Sequence, residues 1–216
     1  MKILAIETSG EIFNFALNEC EKNIASIYYN RKNTCSEIII TAIEKLLIDT
    51  KNTFQNIDKF AISIGPGSFT GIRVGMTAVK MLSQILNKPI VPIDTLSILE
   101  RPFVKIKGIK VIPMIMASKN EIYIKNNKKI IIKNIDLFIK SIKKYKNKLL
   151  LIGNAAIFYR KKIIKNFGVN SVAISYNIHT PQACLLAEIA YKSLGSTNYS
   201  KINPLYTHNT FFKQKQ

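Results

Sequence analysis

A glycine-rich turn constrains this chain more than any other feature of its sequence. It follows an apolar run at residues 60–64, which predicts a buried strand, and precedes a helical pattern at residues 69–86. Because glycine adopts backbone conformations that other residues avoid, the segment predicts a tight strand-to-helix turn that leaves the first helical amides free for an anion or a partner chain. The residues of this turn are Gly65, Pro66, Gly67, Ser68 and Gly71.

The spacing of these glycines excludes the commoner phosphate-binding motifs. A Walker loop places a lysine and a serine or threonine directly after its last glycine, but Ile72 and Arg73 follow Gly71. The dinucleotide fingerprint places two residues between its last glycines, whereas three separate Gly67 from Gly71. Ser68 also lacks the flanking pattern of a hydrolase nucleophile, so its expected role is to cap the helix.

The glycine-rich turn resembles a motif of the TsaB (YeaZ) family, the small subunits of bacterial tRNA threonylcarbamoyladenosine biosynthesis. Residues 1–9 are similar to the first strand of that family and to the acidic turn after it. The resemblance extends over nearly the whole chain, because weaker matches follow in the family's order. They lie at residues 94–96, 121–123, 153–155, 181–183 and 203–206.

Hydrophobic periodicity predicts two halves with a similar order of elements. In residues 1–100 we expect strands at 3–7, 13–17, 24–29 and 60–64 and helices at 36–49 and 69–86. In residues 101–216 we expect strands at 111–116, 121–125, 129–133, 149–152 and 172–175, helices at 135–145 and 154–166, and a last helix capped by Thr180 that runs from Pro181 to Leu194. The order and the resemblance imply the duplicated ribonuclease-H-like α/β fold of actin, sugar kinases and Hsp70. Each lobe would combine a mixed sheet with flanking helices, the first in residues 1–100 and the second, with a tail, in residues 101–216.

The net charge of +19 raises the question of nucleic-acid binding. Only four of the 32 basic residues are arginine, the residue best suited to bidentate phosphate contacts. Lysine accompanies abundant isoleucine and asparagine, so we attribute the excess to an AT-rich genome, with a direct tRNA-binding module as the alternative. The densest run of lysines, at residues 140–148, is predicted to be the solvated face and end of a helix. No apolar stretch is long enough to span a bilayer, and Cys20, Cys35 and Cys184 show no paired spacing. We therefore expect a cytoplasmic protein with reduced thiols and no membrane contact.

The resemblance also indicates where a nucleotide site would lie. In the actin and sugar-kinase superfamily an acidic residue at the end of the first strand helps to hold the metal of ATP, a position that Glu7 occupies here. The alternative is an inherited turn in which Thr8 and Ser9 bond local amides, and we favour it because relatives carry an aspartate where this chain has Met116. We expect no cofactor of its own, although ATP or ADP could bind at a partner interface.

A metal centre is not expected either. The catalytic paralogue that this family resembles carries a pair of metal-binding histidines on its first helix, and the corresponding residues 31–37 contain no histidine. His179 and His208 are the two histidines of the chain. No helical spacing pairs them, so we expect each to be a surface or capping residue.

Two helices of the first half carry broad apolar arcs. Each arc spans about 180° to 200°, roughly twice what a helix on one sheet needs, so both helices are either packed on two sides or free to bind a partner. The pattern leaves both interpretations open, and the resemblance favours a bundle with the catalytic paralogue. We expect Ile39, Ile43, Val74 and Met81 at the open edges of the arcs. The full set of predicted contacts is Ile39, Ile43, Leu47, Thr70, Arg73, Val74, Thr77 and Met81.

The resemblance implies a scaffold subunit without catalytic activity of its own. It would act with the catalytic paralogue TsaD and an ATPase subunit, TsaE, and would meet tRNA through the complex. In the absence of the partner, a homodimer is an open alternative. The competing enzyme hypothesis is an independent ATP-dependent phosphotransferase of the same fold.

Overall fold

The structure is a computed structural model, and it describes residues 1–30, 35–126, 129–145 and 148–205. They form two α/β units. The first unit runs β1 (Lys2–Glu7), β2 (Ile12–Glu19), β3 (Lys22–Asn30), α1 (Cys35–Asp49), β4 (Lys59–Ser63), α2 (Phe69–Leu86), β5 (Ile90–Ile93) and α3 (Thr95–Glu100). The second runs β6 (Lys110–Pro113), β7 (Ile115–Ser118), β8 (Glu121–Asn126), β9 (Lys129–Asn134), α4 (Ile135–Ile142), β10 (Leu149–Ile152), α5 (Asn154–Phe158) and α6 (Arg160–Phe167), and α7 (Ala183–Tyr191) follows.

The first sheet has the strand order β3-β2-β1-β4-β5. Strand β1 pairs antiparallel with β2 and parallel with β4, which in turn pairs parallel with β5. Residues 3–6 of β1 are fully buried because β1 is central and both sheet faces are covered. Helices α1 and α2 pack on one face and α7 on the other. The strands and the two long helices predicted for residues 1–86 are confirmed, with shifts of a few residues at their ends.

The second unit departs from the prediction at residues 111–116. Instead of one strand, β6 pairs parallel with β10, and β7 pairs antiparallel with β8. The break follows Pro113, which has no N–H to donate, and Met114 then bonds its amide to the carbonyl of Ile152 at 2.9 Å. One segment therefore passes from one small sheet to the other.

Three further predictions for the second half were wrong in detail. The helix expected at 154–166 breaks at Tyr159, whose φ of −94° and ψ of 15° separate α5 from α6. The strand expected at 172–175 is reduced to one bridge between Val172 and Leu151. The last helix begins at Ala183 rather than Pro181 and ends at Tyr191.

The chain returns to the first unit at α7. Asn14 of β2 is fully buried, and its Oδ1 accepts from the amide of Ala183 at 2.5 Å while its Nδ2 donates to the carbonyl of Pro181 at 3.2 Å. Ile202, farther along, packs in the core around α1 and α2. By packing, therefore, residues 183–205 join residues 1–100, a division that differs from a simple boundary at residue 100. Among the described helices, none is long and apolar enough to cross a bilayer.

Candidate functional site

The glycine-rich turn holds α2 directly against the loop between β1 and β2. A Cβ at Gly71 would collide with the carbonyl oxygen of Thr8, and one at Gly75 with the Thr8 hydroxyl. A Cβ at Gly67 would likewise overlap the carbonyl oxygen of Ser9. These glycines therefore allow a close approach of helix and loop, which is a packing role.

Ser68 is the N-cap of α2, as predicted. Its hydroxyl accepts from the amide of Gly71 at 3.1 Å, and its own amide donates to the carbonyl of Ser9 at 2.7 Å. The carbonyl of Ser68 also accepts from the amide of Ile72 at 2.9 Å. The expectation that the first amides of this helix are free is thus wrong for Ser68, Gly71 and Ile72. An anion would have to displace bonds that already fix the turn.

Glu7 points into the protein. One of its carboxylate oxygens, Oε1, accepts from the amide of Ser9 at 2.6 Å and from the Ser9 hydroxyl at 2.5 Å. The other, Oε2, is buried and has no hydrogen-bond partner among the described residues. Burial raises the pKa of Glu7 to about 7, and hydrogen bonding, chiefly from Ser9, offsets only part of that rise. The side chain is therefore a poor metal ligand as it stands.

A cleft between the two units lies beside the β1–β2 loop that follows Glu7. Ser9, Pro66, Thr95, Asn154 and His179 are among its lining residues. It encloses about 50 Å³, whereas ligand pockets take roughly 300–1,000 Å³. Within the described residues no three His, Cys, Asp or Glu side chains come together as metal ligands. The residues present in the cleft do not fit ATP and its metal.

His179 is a buried structural residue rather than the surface or capping residue we expected. Its Nδ1 accepts from the amide of Gly153 at 3.1 Å. The same Nδ1 lies 3.2 Å from the carbonyl oxygen of Gly153, and Nε2 lies 3.0 Å from the carbonyl oxygen of Ala173. The ring ties the segment before α7 to the β10–α5 turn, and nothing in the sequence around it signals this role. His208 lies outside the described residues.

Helix α1 does not offer the open apolar arc that the sequence suggests. Ile39, Ile43 and Leu47 are 1%, 0% and 2% exposed. They belong to the core because α1 packs against β2 and β3 on one side and against α2 on another. These two contacts together cover the wide apolar arc of α1. The prediction that Ile39 and Ile43 lie at an open edge is wrong.

Helix α2 presents a continuous exposed surface instead. Thr70, Thr77 and Met81 are exposed and Val74 is half-buried. With Ile85, which is 73% exposed, they repeat at intervals of four, three, four and four residues and so line one side of the helix. We call this surface the α2 stripe: Thr70, Val74, Thr77, Met81 and Ile85.

Two further residues extend the α2 stripe at its amino end. The guanidinium of Arg73 lies 3.7 Å from the ring centroid of Phe69, a cation–π contact between two exposed side chains. Sequence reasoning identified Arg73 but missed Phe69 and Ile85. The sequence does contain a signal for Phe69 and Ile85, because both are apolar and yet lie outside the arc of α2 that packs on the sheet.

Comparison with known proteins identifies the family. The family model of tRNA N6-adenosine threonylcarbamoyltransferase, TsaD, matches residues 24–191. The tRNA threonylcarbamoyladenosine biosynthesis protein TsaB of Buchnera aphidicola subsp. Schizaphis graminum is 32% identical over 183 residues. The alignment covers 75% of this chain and 87% of that relative. The chain belongs to the TsaB (YeaZ) family.

Solved structures confirm the fold of this TsaB family member. A crystal structure from Pseudomonas aeruginosa, of an uncharacterized protein with similarity to peptidase YeaZ, matches with a TM-score of 0.71 at 18% identity. The match covers 96% of this chain and 99% of that chain. The ethanolamine utilization protein EutJ of Carboxydothermus hydrogenoformans matches with a TM-score of 0.50 at 11% identity, over 87% of this chain and 89% of its own. The duplicated ribonuclease-H-like fold predicted from the sequence is confirmed.

Proposed function

We propose that this TsaB family member is a non-catalytic scaffold for tRNA threonylcarbamoylation. The reaction transfers the threonylcarbamoyl group from threonylcarbamoyl-adenylate to N6 of the adenosine that lies 3′ of the anticodon. TsaD would carry out the transfer and TsaE would supply ATPase activity. This chain would hold TsaD in an active arrangement and would meet tRNA within the complex, in the cytoplasm.

The α2 stripe carries this proposal. Met81 is 45% exposed and Ile85 73% exposed on a helix whose other side is already packed on the first sheet. Apolar side chains repeated along one exposed helix side fit an interface in which a second helix lies alongside. TsaD is the natural occupant, because its family model matches this chain and a paralogue would present equivalent helices. Without TsaD, the same stripe could pair with a second copy of the chain.

The nucleotide region supports a role without catalysis by this chain. Glu7 is bonded to Ser9 inside the β1–β2 loop, and the adjacent cleft encloses about 50 Å³. The resemblance implies an aspartate at the position of Met116, and methionine offers no carboxylate to a metal. These features argue against the phosphotransferase alternative. An ATP or ADP molecule between the two subunits would instead border the exposed Gly67 at the start of α2.

Reconstitution tests the proposal directly. Purified TsaD and TsaE are mixed with tRNA and threonylcarbamoyl-adenylate, with and without this chain, and modified adenosine is quantified by mass spectrometry. We expect transfer only when TsaD and this chain are both present. Transfer by this chain without TsaD would contradict the proposal, and so would full transfer by TsaD without this chain.

A further inference from the structure

The positive charge of this protein is concentrated in one part of the chain. Residues 101–182 contain 18 basic and two acidic residues, whereas the remaining residues contain 14 basic and 11 acidic ones. The structure folds residues 110–167 of this range into the second unit. The first sheet and its helices are therefore almost neutral, and the second unit is strongly cationic.

This distribution is not what genomic base composition predicts. A bias toward AT-rich codons acts on the whole gene, and isoleucine and asparagine are indeed abundant in both parts of the chain. Such a bias does not remove aspartate and glutamate from one unit while leaving them in the other. Our sequence-based attribution of the lysine excess to the genome therefore does not account for where the lysines lie.

Six lysines lie in the chain segments that meet at one edge of the second unit, where the parallel strands β6 and β10 begin. The amide of Lys110 donates to the carbonyl of Lys148 at 2.5 Å, and the amide of Lys148 donates to the carbonyl of Tyr145 at 2.9 Å. These bonds bring together the loop before β6, the turn after α4 and the start of β10. We call the lysines of these segments the end cluster: Lys105, Lys107, Lys110, Lys143, Lys144 and Lys148.

The end cluster has no ion-paired carboxylate among the described residues. The acid nearest in effect is Glu21, whose pKa is lowered chiefly by its bond with Lys192 at 2.7 Å and also by the charge of Lys105. All six side chains are exposed, and none has a carboxylate oxygen within ion-pairing distance. The nearby acids are engaged elsewhere, since Asp94 and Glu100 lie 3.2 and 4.0 Å from the ammonium of Lys125. Asp136 pairs with Lys162 at 2.6 Å. Uncompensated charge of one sign over a fixed edge attracts a polyanion.

We propose that the end cluster binds the phosphate backbone of tRNA. This inference rests on the proposed function, in which tRNA is the substrate of the complex. Lysine offers a point charge rather than the planar fork of arginine, so it favours phosphate contacts that do not read the bases. The cluster belongs to segments around β6 and β10 and the α2 stripe to the first unit, so the two proposed surfaces share no residue.

Two triple variants, matched in charge, test this inference. The cluster variant is Lys105→Gln with Lys107→Gln and Lys110→Gln. The control variant is Lys22→Gln with Lys51→Gln and Lys201→Gln, which removes three exposed charges outside the second unit. Binding of tRNA is measured by fluorescence anisotropy between about 50 and 200 mM salt, for the full chain alone and for its complex with TsaD.

We expect the cluster variant to bind tRNA about tenfold more weakly or worse at the lowest salt. Its slope of log K against log salt should be shallower by about one for each phosphate group that a substituted lysine no longer neutralises. The weakening should be equal for substrate and non-substrate tRNA, and the control variant should bind as the wild type does. A cluster variant indistinguishable from the control would overturn the inference.

Two further measurements separate the explanations. Ile106 and Ile109 are exposed between these lysines, so vesicles containing an anionic phospholipid are titrated as the competing ligand. Vesicle binding that depends on the cluster, without tRNA binding, would also overturn the inference. Co-elution of each variant with TsaD reports on the proposed function alone. If TsaD fails to bind but the tRNA effect remains in the full chain, the scaffold proposal fails and the end cluster stands.

Discussion

Glu7 accepts both the amide and the hydroxyl of Ser9 through the same carboxylate oxygen, at 2.6 and 2.5 Å. The Ser9 hydroxyl in turn accepts from the hydroxyl of Thr95 at 3.0 Å. The acid that resembles a metal ligand in the sequence thus closes a loop of its own chain and links it to the start of α3. The opposite oxygen remains buried and unbonded among the described residues, which has a measurable consequence for stability.

The first prediction concerns pH. Burial raises the pKa of Glu7 from 4.5 to about 7, so the folded protein holds a proton that the unfolded chain has already released. The free energy of unfolding should therefore fall as pH rises from about 4.5 to about 7, by about 3 kcal/mol at most from this group. Glu7→Gln, which is neutral at every pH, should remove this loss. Urea unfolding of both proteins at pH 5 and pH 8 measures the difference.

The variant also serves as the control for other titrating groups. We expect Glu7→Gln to gain stability relative to the wild type on going from pH 5 to pH 8, because every other carboxylate is common to both proteins. If the free energy of unfolding depends on pH equally in the two proteins, Glu7 ionises in the folded state as easily as in the unfolded chain, which would contradict the prediction.

The second prediction concerns the glycines of α2. Gly71→Ala places a methyl group on the carbonyl oxygen of Thr8, so the helix or the loop must move. We expect a loss of about 3 kcal/mol or more in the free energy of unfolding, because the obstacle is backbone. Gly10→Ala is the matched control, in the β1–β2 loop that also contains Thr8. The nearest atoms would lie 3.8 Å from a Cβ at Gly10, so the added methyl group has room. Thermal unfolding in which both variants melt alike would contradict the close packing described for Gly71.

The third prediction concerns nucleotide. Because the cleft encloses about 50 Å³ and Glu7 faces inward, ATP with magnesium should not stabilise the isolated chain. A ligand at a hundred times its Kd would add about 2.7 kcal/mol to stability, which raises Tm by several degrees. Melting curves with and without millimolar ATP should coincide. A clear upward shift that Glu7→Gln abolishes would mean that the site can open and bind nucleotide.

Much of the fold follows from the sequence because its strongest signals are local. The glycine-rich turn with Ser68 predicts the start of α2 correctly, since a helix cap depends on residues that are neighbours in the sequence. The close approach of Gly71 to Thr8 joins residues far apart in the sequence, and local signals do not predict it. The break at Met114 depends on which strands lie beside it, and periodicity within the segment does not contain that information. The return of α7 to the first sheet depends likewise on a buried Asn14 far away in the sequence.

The candidate site was predicted less well, for two physical reasons. The apolar arc of α1 is wide because the helix is packed on two sides. A helix packed in this way has the same apolar sequence pattern as a helix that packs on one side and binds a partner on the other. Ile39 and Ile43 were therefore assigned to a partner surface when they form the core. The end cluster was missed because the lysines at residues 140–148 were interpreted as a solvated helix end and net charge was considered only over the whole chain. Counting it separately for residues 101–182 would have revealed the imbalance.

The partner-binding account depends most on the α2 stripe. Met81→Asp would bury an unpaired carboxylate against TsaD, so we expect a loss of about 2 kcal/mol or more in binding, at least roughly thirtyfold in Kd. The variant should fold normally, because Met81 is already 45% exposed in the isolated chain. Two variants calibrate the result. Ile174→Asp alters a side chain that is 91% exposed, beyond α6, and should bind TsaD normally, whereas Ile43→Asp should unfold the protein.

The decisive measurement is therefore the affinity of folded Met81→Asp for TsaD, by isothermal titration calorimetry, with circular dichroism and thermal melting on the same sample. The account predicts a wild-type melting curve together with abolished or severely weakened TsaD binding. A wild-type melting curve together with wild-type affinity would contradict the assignment of this face of α2 as the docking surface.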